Sequence, residues 1–329
     1  MQLSLKDTNI LKGLAIMLML VHHLFWKQNG LYDDVHLIRD LYLVNQIGVF
    51  SKVCVAIFVF LSGYGLTIQA EKKSGIGKLS DFYWHRFKKL YLNYWFIWLI
   101  FVPISFFVFD RTFQMAFPEN TIWHVVLDIF GIHHWFFSKP YSYNATWWFY
   151  SCIISLYLLF PLLYRLMKRN SLVLILVAIA ISFIPFNVLS INYYIVVFVM
   201  GMMMLNHKIA PPSSPWTGVA WISLLAIFSL ERMYNKYPLM LDCLVTLTLV
   251  IVYSMVKLPK ALAQVVAFIG KHSMNIFLFH TFIFSYWFRE YIYSSRNPIV
   301  IFLLLLLVCV IISIILEQIK KYTIYRLLS

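Results

Sequence analysis

Apolar stretches long enough to cross a lipid bilayer recur along almost the whole chain, and they constrain its fold more than any other feature. Of the 329 residues, 62% are hydrophobic and only 12% are charged, whereas about 25% of the residues in a soluble domain are charged. A helix needs about 20 apolar residues to cross the hydrocarbon core. We therefore expect an all-α polytopic membrane protein with a single transmembrane domain over residues 1–329.

The apolar pattern predicts about ten transmembrane helices. They are expected at residues 10–26, 47–69, 90–109, 145–165, 171–188, 191–207, 216–231, 238–256, 273–288 and 298–317. Residues 121–135 are a poor eleventh crossing, because the segment is short and contains Asp128, Gly131 and three histidines. We expect one extra helix there that is re-entrant or interfacial.

The distribution of basic residues predicts the orientation of these helices. Residues 70–89 contain six Lys or Arg and two acidic residues, and segments rich in Lys and Arg stay on the cytoplasmic side. Ten crossings then place both termini in the cytoplasm and residues 110–144 outside. The cytoplasmic segments hold 18 of the 27 Lys and Arg and four of the 13 acidic residues. This asymmetry explains the net charge of +14, so membrane lipid is an expected partner and nucleic acid is not.

Two ionisable residues lie on one face of the first predicted helix. Lys12 and His23 are 11 residues apart, which is 20° past three full turns and about 16 Å along the axis. His22 is turned about 80° away from Lys12. Ionisable groups inside membrane helices usually face an internal cavity. The alternative is that Lys12 reaches the inner surface and that the histidines lie among the outer headgroups.

The second predicted helix contains the segment "FLSGYG". Its two glycines allow a neighbouring helix to approach closely, and Ser62 can form a hydrogen bond to that neighbour. Ordinary helix packing explains such small residues equally well. Ser62 and Tyr64 are the candidate functional residues of this segment.

Basic residues cluster in "WHRFKKLYLNYW", before the third predicted helix. Arg86 and Lys89 are three residues apart and share a helix face, with Lys88 beside them. Such groups suit an anionic ligand such as a nucleotide phosphate, which arginine can grip with two parallel hydrogen bonds. Anchoring to anionic lipid is the alternative.

Other polar and aromatic residues occur near the predicted helix ends. Trp147 and Trp148 fit an aromatic belt at the membrane surface, or else stack on the rings of a sugar. Lys271 lies at the inner end of the ninth predicted helix and His280 lies in its middle. The external histidines are spaced too loosely to predict a metal site. The four cysteines lie in apolar runs and are expected to be small buried residues.

Five segments, in the same order along the chain, resemble motifs of membrane acyltransferase family 3, the bacterial O-acyltransferases that modify envelope glycans and small secreted molecules. The first, "LKGLAIMLMLVHH", resembles the family's basic residue, ten intervening residues and histidine, which Lys12 and His23 match. The others are "FVFLSGYGL", "WHRFKKLYLNYW", "WWFYSCIISLYLLFPLL" and "FIGKHSMNIFLFH". Lys89 stands where the family's basic motif has its second arginine. This lysine keeps the positive charge but lacks the planar guanidinium group.

The resemblance implies transfer of an acyl group, usually acetyl, from cytoplasmic acyl-CoA to a hydroxyl of a glycan or lipid-linked glycan across a bacterial inner membrane. It implies that acetyl-CoA is the acyl donor and that no metal is required. We expect catalytic roles for His23, as the base, and for Lys12, Ser62 and Tyr64. Further residues are expected to bind the two substrates: Arg86, Lys88, Lys89 and Lys271 for CoA, and Trp147, Trp148 and His280 for the acceptor.

Two other classes of protein fit the sequence. A transporter or flippase for an anionic or glycan substrate would use the same polar face and leave its substrate chemically unchanged. A membrane sensor or scaffold would use its polar residues only to hold helices together. The sequence leaves open the acceptor, the acyl group beyond a preference for acetyl, and whether the chain forms a homo-oligomer.

Overall fold

The computed structural model describes residues 2–27, 29–38, 41–117, 121–137, 142–185, 190–205, 214–234, 239–256 and 258–323. Within these ranges the chain is helical apart from loops and one antiparallel hairpin of two short strands, His36–Ile38 (β1) and Leu41–Tyr42 (β2). The all-α class is therefore confirmed. The α-helices are α1 Leu5–Phe25, α2 Leu43–Phe50, α3 Cys54–Lys72, α4 Leu79–Phe107, α5 Phe113–Ala116, α6 Thr121–Ile129, α7 Trp148–Arg169, α8 Ser171–Ser182, α9 Ile191–Met203, α10 Pro215–Tyr234, α11 Leu239–Met255, α12 Lys260–Lys271, α13 Ser273–Thr281, α14 Arg289–Tyr293 and α15 Pro298–Tyr322.

A helix lies at each of the ten predicted positions, but the helices differ in length. Among the described residues, five segments are long and apolar enough to cross a membrane: 5–25, 43–72, 79–107, 145–169 and 298–322. Helices α12 and α13, with the π-helical turn Phe282–Trp287, make a sixth if they count as one broken crossing. The 12 residues of α8 span only about 18 Å. Ten crossings with both termini in the cytoplasm thus stay a prediction.

The doubtful segment 121–135 contains only a short helix. The nine residues of α6 span about 13 Å, less than half of the roughly 30 Å of hydrocarbon, so this helix cannot cross the membrane. A turn at Gly131 and a 3₁₀ turn at His133–Trp135 follow α6. This agrees with an additional non-crossing helix, and its external position stays a prediction.

The chain divides into two compact units. Unit 1 comprises residues 1–75, 159–185 and 191–271, and unit 2 comprises residues 76–158, 186–190 and 272–329. The boundary between residues 158 and 159 falls inside α7. All four cysteines are buried and free, as the sequence predicts.

Unit 1 is held together by helices that approach one another at glycines. A Cβ atom at Gly13 of α1 would collide with the backbone carbonyl of Val266 in α12, and one at Gly270 would collide with the carbonyl of Asn9. A Cβ atom at Gly63 of α3 would likewise collide with the backbone carbonyl of Phe198 in α9. Small residues at helix contacts let backbones touch in this manner. The close packing of α1 therefore depends on the lack of a side chain at these positions.

Unit 2 is built around α4, α13 and α15. The 29 residues of α4 span about 43 Å, so the helix exceeds the thickness of the hydrocarbon core by about nine residues. Asn297 caps α15 by accepting hydrogen bonds from the backbone of Ile299 and Val300. Asn144 and Trp147 each donate to the carbonyl of Leu278, which joins the start of α7 to α13.

Candidate active site

The helix face that carries Lys12 and His23 forms as the sequence predicts. Helix α1 runs without interruption from Leu5 to Phe25, so the two residues share a face at about 16 Å along the axis. Both side chains are half-buried, and both interact with neighbouring groups. The structure thus provides two ionisable groups at opposite halves of one continuous helix.

The two adjacent histidines have different surroundings. Nδ1 of His22 lies 2.8 Å from the carbonyl oxygen of Gly48, so this nitrogen carries the proton and donates it. The His22 ring also stacks on Trp26 at 5.9 Å between centroids. These contacts attach His22 to the segment that leads into α3. His23 points to a different side of α1, because consecutive residues are turned by 100°.

The hydroxyl group of Tyr64 is engaged at the beginning of α1. It accepts a hydrogen bond from the backbone N–H of Leu3 (2.6 Å) and donates one to the carbonyl of Leu3 (3.1 Å), and the side chain is fully buried. Leu3 lies about 30 Å from His23 along the helix axis. Tyr64 therefore fixes the start of α1, and direct orientation of the imidazole of His23 is beyond its reach.

The remaining residues of the "FLSGYG" segment differ from one another in their contacts. Ser62 donates a hydrogen bond to the carbonyl of Phe58 in its own helix (2.9 Å), and its side chain is half-buried. Gly63 makes the close helix contact that the sequence predicts, whereas a Cβ at Gly65 would meet nothing within 4 Å. Only one of the two glycines therefore serves helix packing.

Unit 1 also contains a buried ion pair that the sequence analysis missed. Nε of Arg232 in α10 donates to Oδ1 of Asp242 in α11 at 2.6 Å, and the arginine is only 2% exposed. The nine residues between them include 235–238, which lie outside the described residues. In the sequence, this ion pair is indicated only by the presence of two charges near helix ends.

The basic residues expected to bind CoA lie within α4 rather than in a loop before it. The helix begins at Leu79, so Arg86, Lys88 and Lys89 occupy its first eleven residues. Arg86 and Lys88 are half-buried, and Lys89 is exposed. Helix α4 is about nine residues longer than a crossing requires. The basic side chains lie in its first turns and therefore outside the apolar part of the helix.

A buried lysine network lies close to this basic stretch and was not predicted. Lys320 of α15 is 1% exposed and donates to Oδ1 of Asn93 at 2.7 Å and Oδ1 of Asn275 at 2.5 Å. It also pairs with Glu317 at 3.3 Å. Asn93 in turn donates to the carbonyl of Lys89. The network therefore joins α13 and α15 to the basic end of α4.

The paired tryptophans differ in exposure. Trp147 is 2% exposed, and its Nε1 donates to the carbonyl of Leu278 at 2.9 Å, so its indole is part of the core of unit 2. Trp148 is half-buried, and its ring centroid lies 6.2 Å from that of His134. Of the two residues predicted to bind the acceptor, Trp148 has the more accessible ring.

His280 is fully buried in α13. Its Nδ1 lies 3.0 Å from the carbonyl of Ile276, and its ring stacks on Phe284. A π-helical turn, a feature that is frequent at functional sites, begins two residues later at Phe282. Lys271 ends α12 in unit 1 and is exposed.

The segment around α6 brings together a carboxyl group and histidines whose spacing in the sequence is too loose to predict a site. Asp128 is buried and accepts hydrogen bonds from the hydroxyl of Ser142 (2.5 Å) and from Nε1 of Trp98 (3.3 Å). Burial raises the pKa of Asp128 to about 7 despite these donors. Nδ1 of His124 and Nε2 of His133 lie 2.7 Å apart, and burial lowers the pKa of His133 to about 4.

The fold and the site together define a multi-pass membrane protein with ionisable groups inside its helical units. Comparison with protein families then identifies its class. A family model described as an acyltransferase domain, of acyltransferase type 3, matches residues 5–318. The chain belongs to the acyltransferase 3 family.

One protein to which the chain is similar is the acyltransferase MdmB of Streptomyces mycarofaciens. It is 28% identical over 127 residues, which is 38% of this chain and 31% of that protein. The match thus spans about a third of the relative. No solved structure matches the chain.

Proposed function

We propose that the protein transfers an acetyl group from cytoplasmic acetyl-CoA to a hydroxyl of a glycan or lipid-linked glycan on the other side of a bacterial inner membrane. The family supports acyl transfer. The observation that carries the proposal is the continuous helix α1, which holds Lys12 and His23 on one face. An imidazole half-buried within a membrane helix is a functional group by default.

His23 acts as the general base in the direct mechanism. Its neutral ring takes the proton of the acceptor hydroxyl while the oxygen attacks the thioester carbonyl. The carbon–sulfur bond then breaks, and the CoA thiolate leaves with the proton that His23 returns. A neutral imidazole can do this near physiological pH, where its ordinary pKa of about 6.5 lies.

A covalent mechanism uses the same residue as the nucleophile. The imidazole nitrogen attacks the thioester, acetyl-histidine forms, and CoA leaves as the thiol. The acceptor hydroxyl then attacks the acetyl group and restores the free imidazole. This route moves the acyl group outward while CoA stays on the cytoplasmic side.

The basic residues at the beginning of α4 bind the phosphates of CoA. Arg86 supplies the planar fork, while Lys88 and Lys89 supply point charges. Lys271, at the exposed end of α12, and Lys12, on the α1 face, are the cationic candidates of unit 1. Lys320 supports the site indirectly, because Asn93 connects it to the backbone of Lys89.

The remaining candidates position groups or contact the acceptor. Tyr64 holds the start of α1 through Leu3 and so sets the position of Lys12. Ser62 lies half-buried on α3 and contacts the thioester end of the donor. Trp148 offers a ring to the acceptor, and Trp147 and His280, which are both buried, are the further acceptor candidates.

The experiment uses inverted membrane vesicles of the source cells, which carry native acceptor and expose the cytoplasmic face. Acetyl-CoA labelled in the acetyl group is added, and free thiol and base-labile labelled ester are measured. Vesicles from cells that lack the protein are the control. We expect thiol and ester to be produced in equal amounts, and only when the protein is present.

Other outcomes would contradict the proposal. A transporter would move its substrate and leave acetyl-CoA intact, so no thiol would appear. A scaffold would also release no thiol, and CoA would not raise its midpoint of thermal unfolding. If labelled acetyl-CoA alone leaves acetyl on the purified protein, the covalent mechanism is favoured over the direct one.

A further inference from the structure

Arg111 of unit 2 lies just beyond α4, at the end opposite to the basic stretch. Arg86 and Phe107, the last residue of the helix, are about 32 Å apart along its axis. Phe107 and Val108 are both exposed, as expected where a candidate crossing meets lipid. The charge of Arg111 therefore lies where the apolar part of α4 ends, near the boundary between hydrocarbon and lipid headgroups.

The backbone of Arg111 is fixed by hydrogen bonds on both sides. Its N–H donates to the carbonyl of Ser105 at 3.0 Å, and its carbonyl accepts from the hydroxyl of Tyr143 at 2.5 Å. Nη2 of Arg111 in turn donates to the carbonyl of Tyr143 at 3.2 Å. The position of Arg111 is thus determined by α4 and by the segment that precedes α7.

Two tyrosine rings hold the guanidinium group of Arg111. Its central carbon lies 3.6 Å from the ring centroid of Tyr286 and 5.4 Å from that of Tyr143, within the distance of a cation–π interaction. Tyr286 belongs to the π-helical turn Phe282–Trp287, and its hydroxyl accepts a hydrogen bond from the backbone N–H of Ala145 at 3.2 Å. The π-helical turn therefore places a fixed aromatic ring against the cation.

Most of the hydrogen-bonding capacity of this guanidinium is unused. An arginine has five N–H donors, and the bond from Nη2 is the one that the side chain of Arg111 forms within the described part of the chain. Its Nε is buried without a hydrogen-bond partner among the same residues, which costs free energy unless a ligand or water satisfies it. No carboxylate of the described residues, including that of the neighbouring Asp110, forms an ion pair with Arg111.

A fixed cation without an anionic partner suits a phosphate group. The planar guanidinium can donate two parallel hydrogen bonds to phosphate oxygens, and its charge strengthens them. Exposed apolar residues lie on both sides of Arg111 in the chain, Phe107 before it and Met115 after it. A phosphate that is attached to an apolar tail fits these surroundings better than a free anion, because basic residues beside a membrane attract anionic lipid.

We propose that Arg111 binds the phosphate group of a membrane lipid, with Tyr286 and Tyr143 fixing the guanidinium. Two kinds of lipid carry this group: a phospholipid, in its headgroup, and the isoprenoid phosphate to which a lipid-linked glycan is attached. The assignment of the second kind, as the carrier of the acceptor, rests on the acyl transfer proposed above. In that case the acceptor and CoA bind at opposite ends of α4. Phosphate binding itself does not depend on that function.

The test compares lipids that differ only in the phosphate group. The full-length protein is purified in a maltoside detergent, which has no phosphate, and native mass spectrometry measures the lipid-bound fraction over a range of lipid concentrations. The two pairs of probes are farnesyl phosphate with farnesol, and dioleoyl phosphatidic acid with dioleoylglycerol. We expect the phosphate-bearing member of at least one pair to bind about tenfold more tightly than its uncharged counterpart, because it gains hydrogen bonds to a charged group.

Variants locate the binding, with thermal unfolding measured for each. Arg111→Gln removes the charge and is expected to weaken the phosphate-bearing probe about tenfold while leaving the uncharged probe unaffected. Arg111→Lys keeps the charge and loses the planar group, so we expect a smaller loss, and this variant decides if Arg111→Gln fails to fold. Arg289→Gln is the matched control, since Arg289 is an exposed arginine at the start of α14 in the same unit. It should bind both probes like the wild type.

The possible results separate the two proposals. Equal binding of phosphate-bearing and uncharged probes refutes the phosphate site, and so do folded Arg111 variants that bind like the wild type. Tighter binding of farnesyl phosphate than of phosphatidic acid identifies an isoprenoid carrier, and the reverse order identifies a phospholipid. If the Arg111 variants lose phosphate binding but vesicles release no thiol from acetyl-CoA, the phosphate site stands and the acyl transfer fails. If thiol is released and the variants bind like the wild type, acyl transfer stands without this site.

Discussion

The two units stabilise their helices by different means. In unit 1, α1 packs through backbone contacts at Gly13 and Gly270, where a single methyl group would collide with a neighbouring carbonyl. In unit 2, a buried lysine on α15 is surrounded by oxygen atoms of Asn93, Asn275 and Glu317. Unit 1 thus depends on the absence of side chains at its contacts, and unit 2 depends on the presence of polar ones.

This difference bears on the candidate functional residues of each unit. Close backbone packing leaves little freedom for α1, so the backbone positions of Lys12 and His23 are constrained. The polar interior of unit 2 contains groups whose hydrogen-bonding capacity is only partly used, such as His134.

The largest expected effect comes from a polar contact within unit 1, the ion pair Arg232–Asp242. Arg232→Met leaves the carboxylate of Asp242 buried without its partner, which costs about 3–5 kcal/mol. The double variant Arg232→Met/Asp242→Leu removes both charges and should recover most of that loss. Thermal unfolding of the purified variants in detergent measures both. A double variant as unstable as the single one would contradict the account of the pair.

The glycine contacts should give a smaller effect. Gly13→Ala places a methyl group against the carbonyl of Val266, and overpacking of this kind costs about 1–3 kcal/mol. The matched control is Gly65→Ala, which meets nothing within 4 Å and should stabilise α3 by up to about 1 kcal/mol because alanine favours helices. The midpoints of thermal unfolding should therefore shift in opposite directions. Equal shifts would show that α1 can move away from α12 at no cost.

The smallest expected effect concerns how the stability of unit 2 depends on pH. The pKa of Asp128 is raised to about 7, so its contribution to stability is lost as pH rises from about 4 to 7. The lowered pKa of His133, about 4, has the opposite effect on stability. The contribution of His133 to stability is lost as pH falls below about 6.5. The lowered pKa of His134 acts in the same direction as that of His133.

Asp128→Asn removes one of these opposing contributions. Between pH 5 and 6.5, the stability of the variant should fall more steeply on acidification than that of the wild type, by about 1.4 kcal/mol per pH unit. Unfolding curves recorded at several pH values test this. Parallel pH profiles would mean that Asp128 does not titrate in this range.

The sequence predicts the local features of the molecule and misses those that depend on distant contacts. The shared face of Lys12 and His23 follows from helix geometry alone and holds because α1 is continuous. The buried state of the cysteines follows from their apolar neighbours. The all-α class and the helix positions follow from the apolar pattern, although a pattern of this kind does not determine helix length.

Two of the unpredicted features join residues far apart in the chain. The contact between Lys320 and Asn93 spans 227 positions, and the contact between Tyr64 and Leu3 spans 61. Neither has a periodic signal, because each depends on how whole helices pack. The third crossing is predicted to begin at residue 90, after the basic stretch around Arg86, whereas α4 begins at Leu79 and includes that stretch. The same residues thus lie on a rigid helix.

The most direct test of the account compares the two adjacent histidines. His23→Gln and His22→Gln are assayed in inverted vesicles for thiol release from acetyl-CoA and for labelled ester, with protein amount and thermal unfolding measured in parallel. We predict that His23→Gln folds and loses activity by about 10²–10⁴-fold, the usual contribution of a general base. His22→Gln should lose stability, because it breaks the bond to Gly48, and keep its activity per folded molecule within a few-fold. A folded His23→Gln protein with full activity would contradict the central claim.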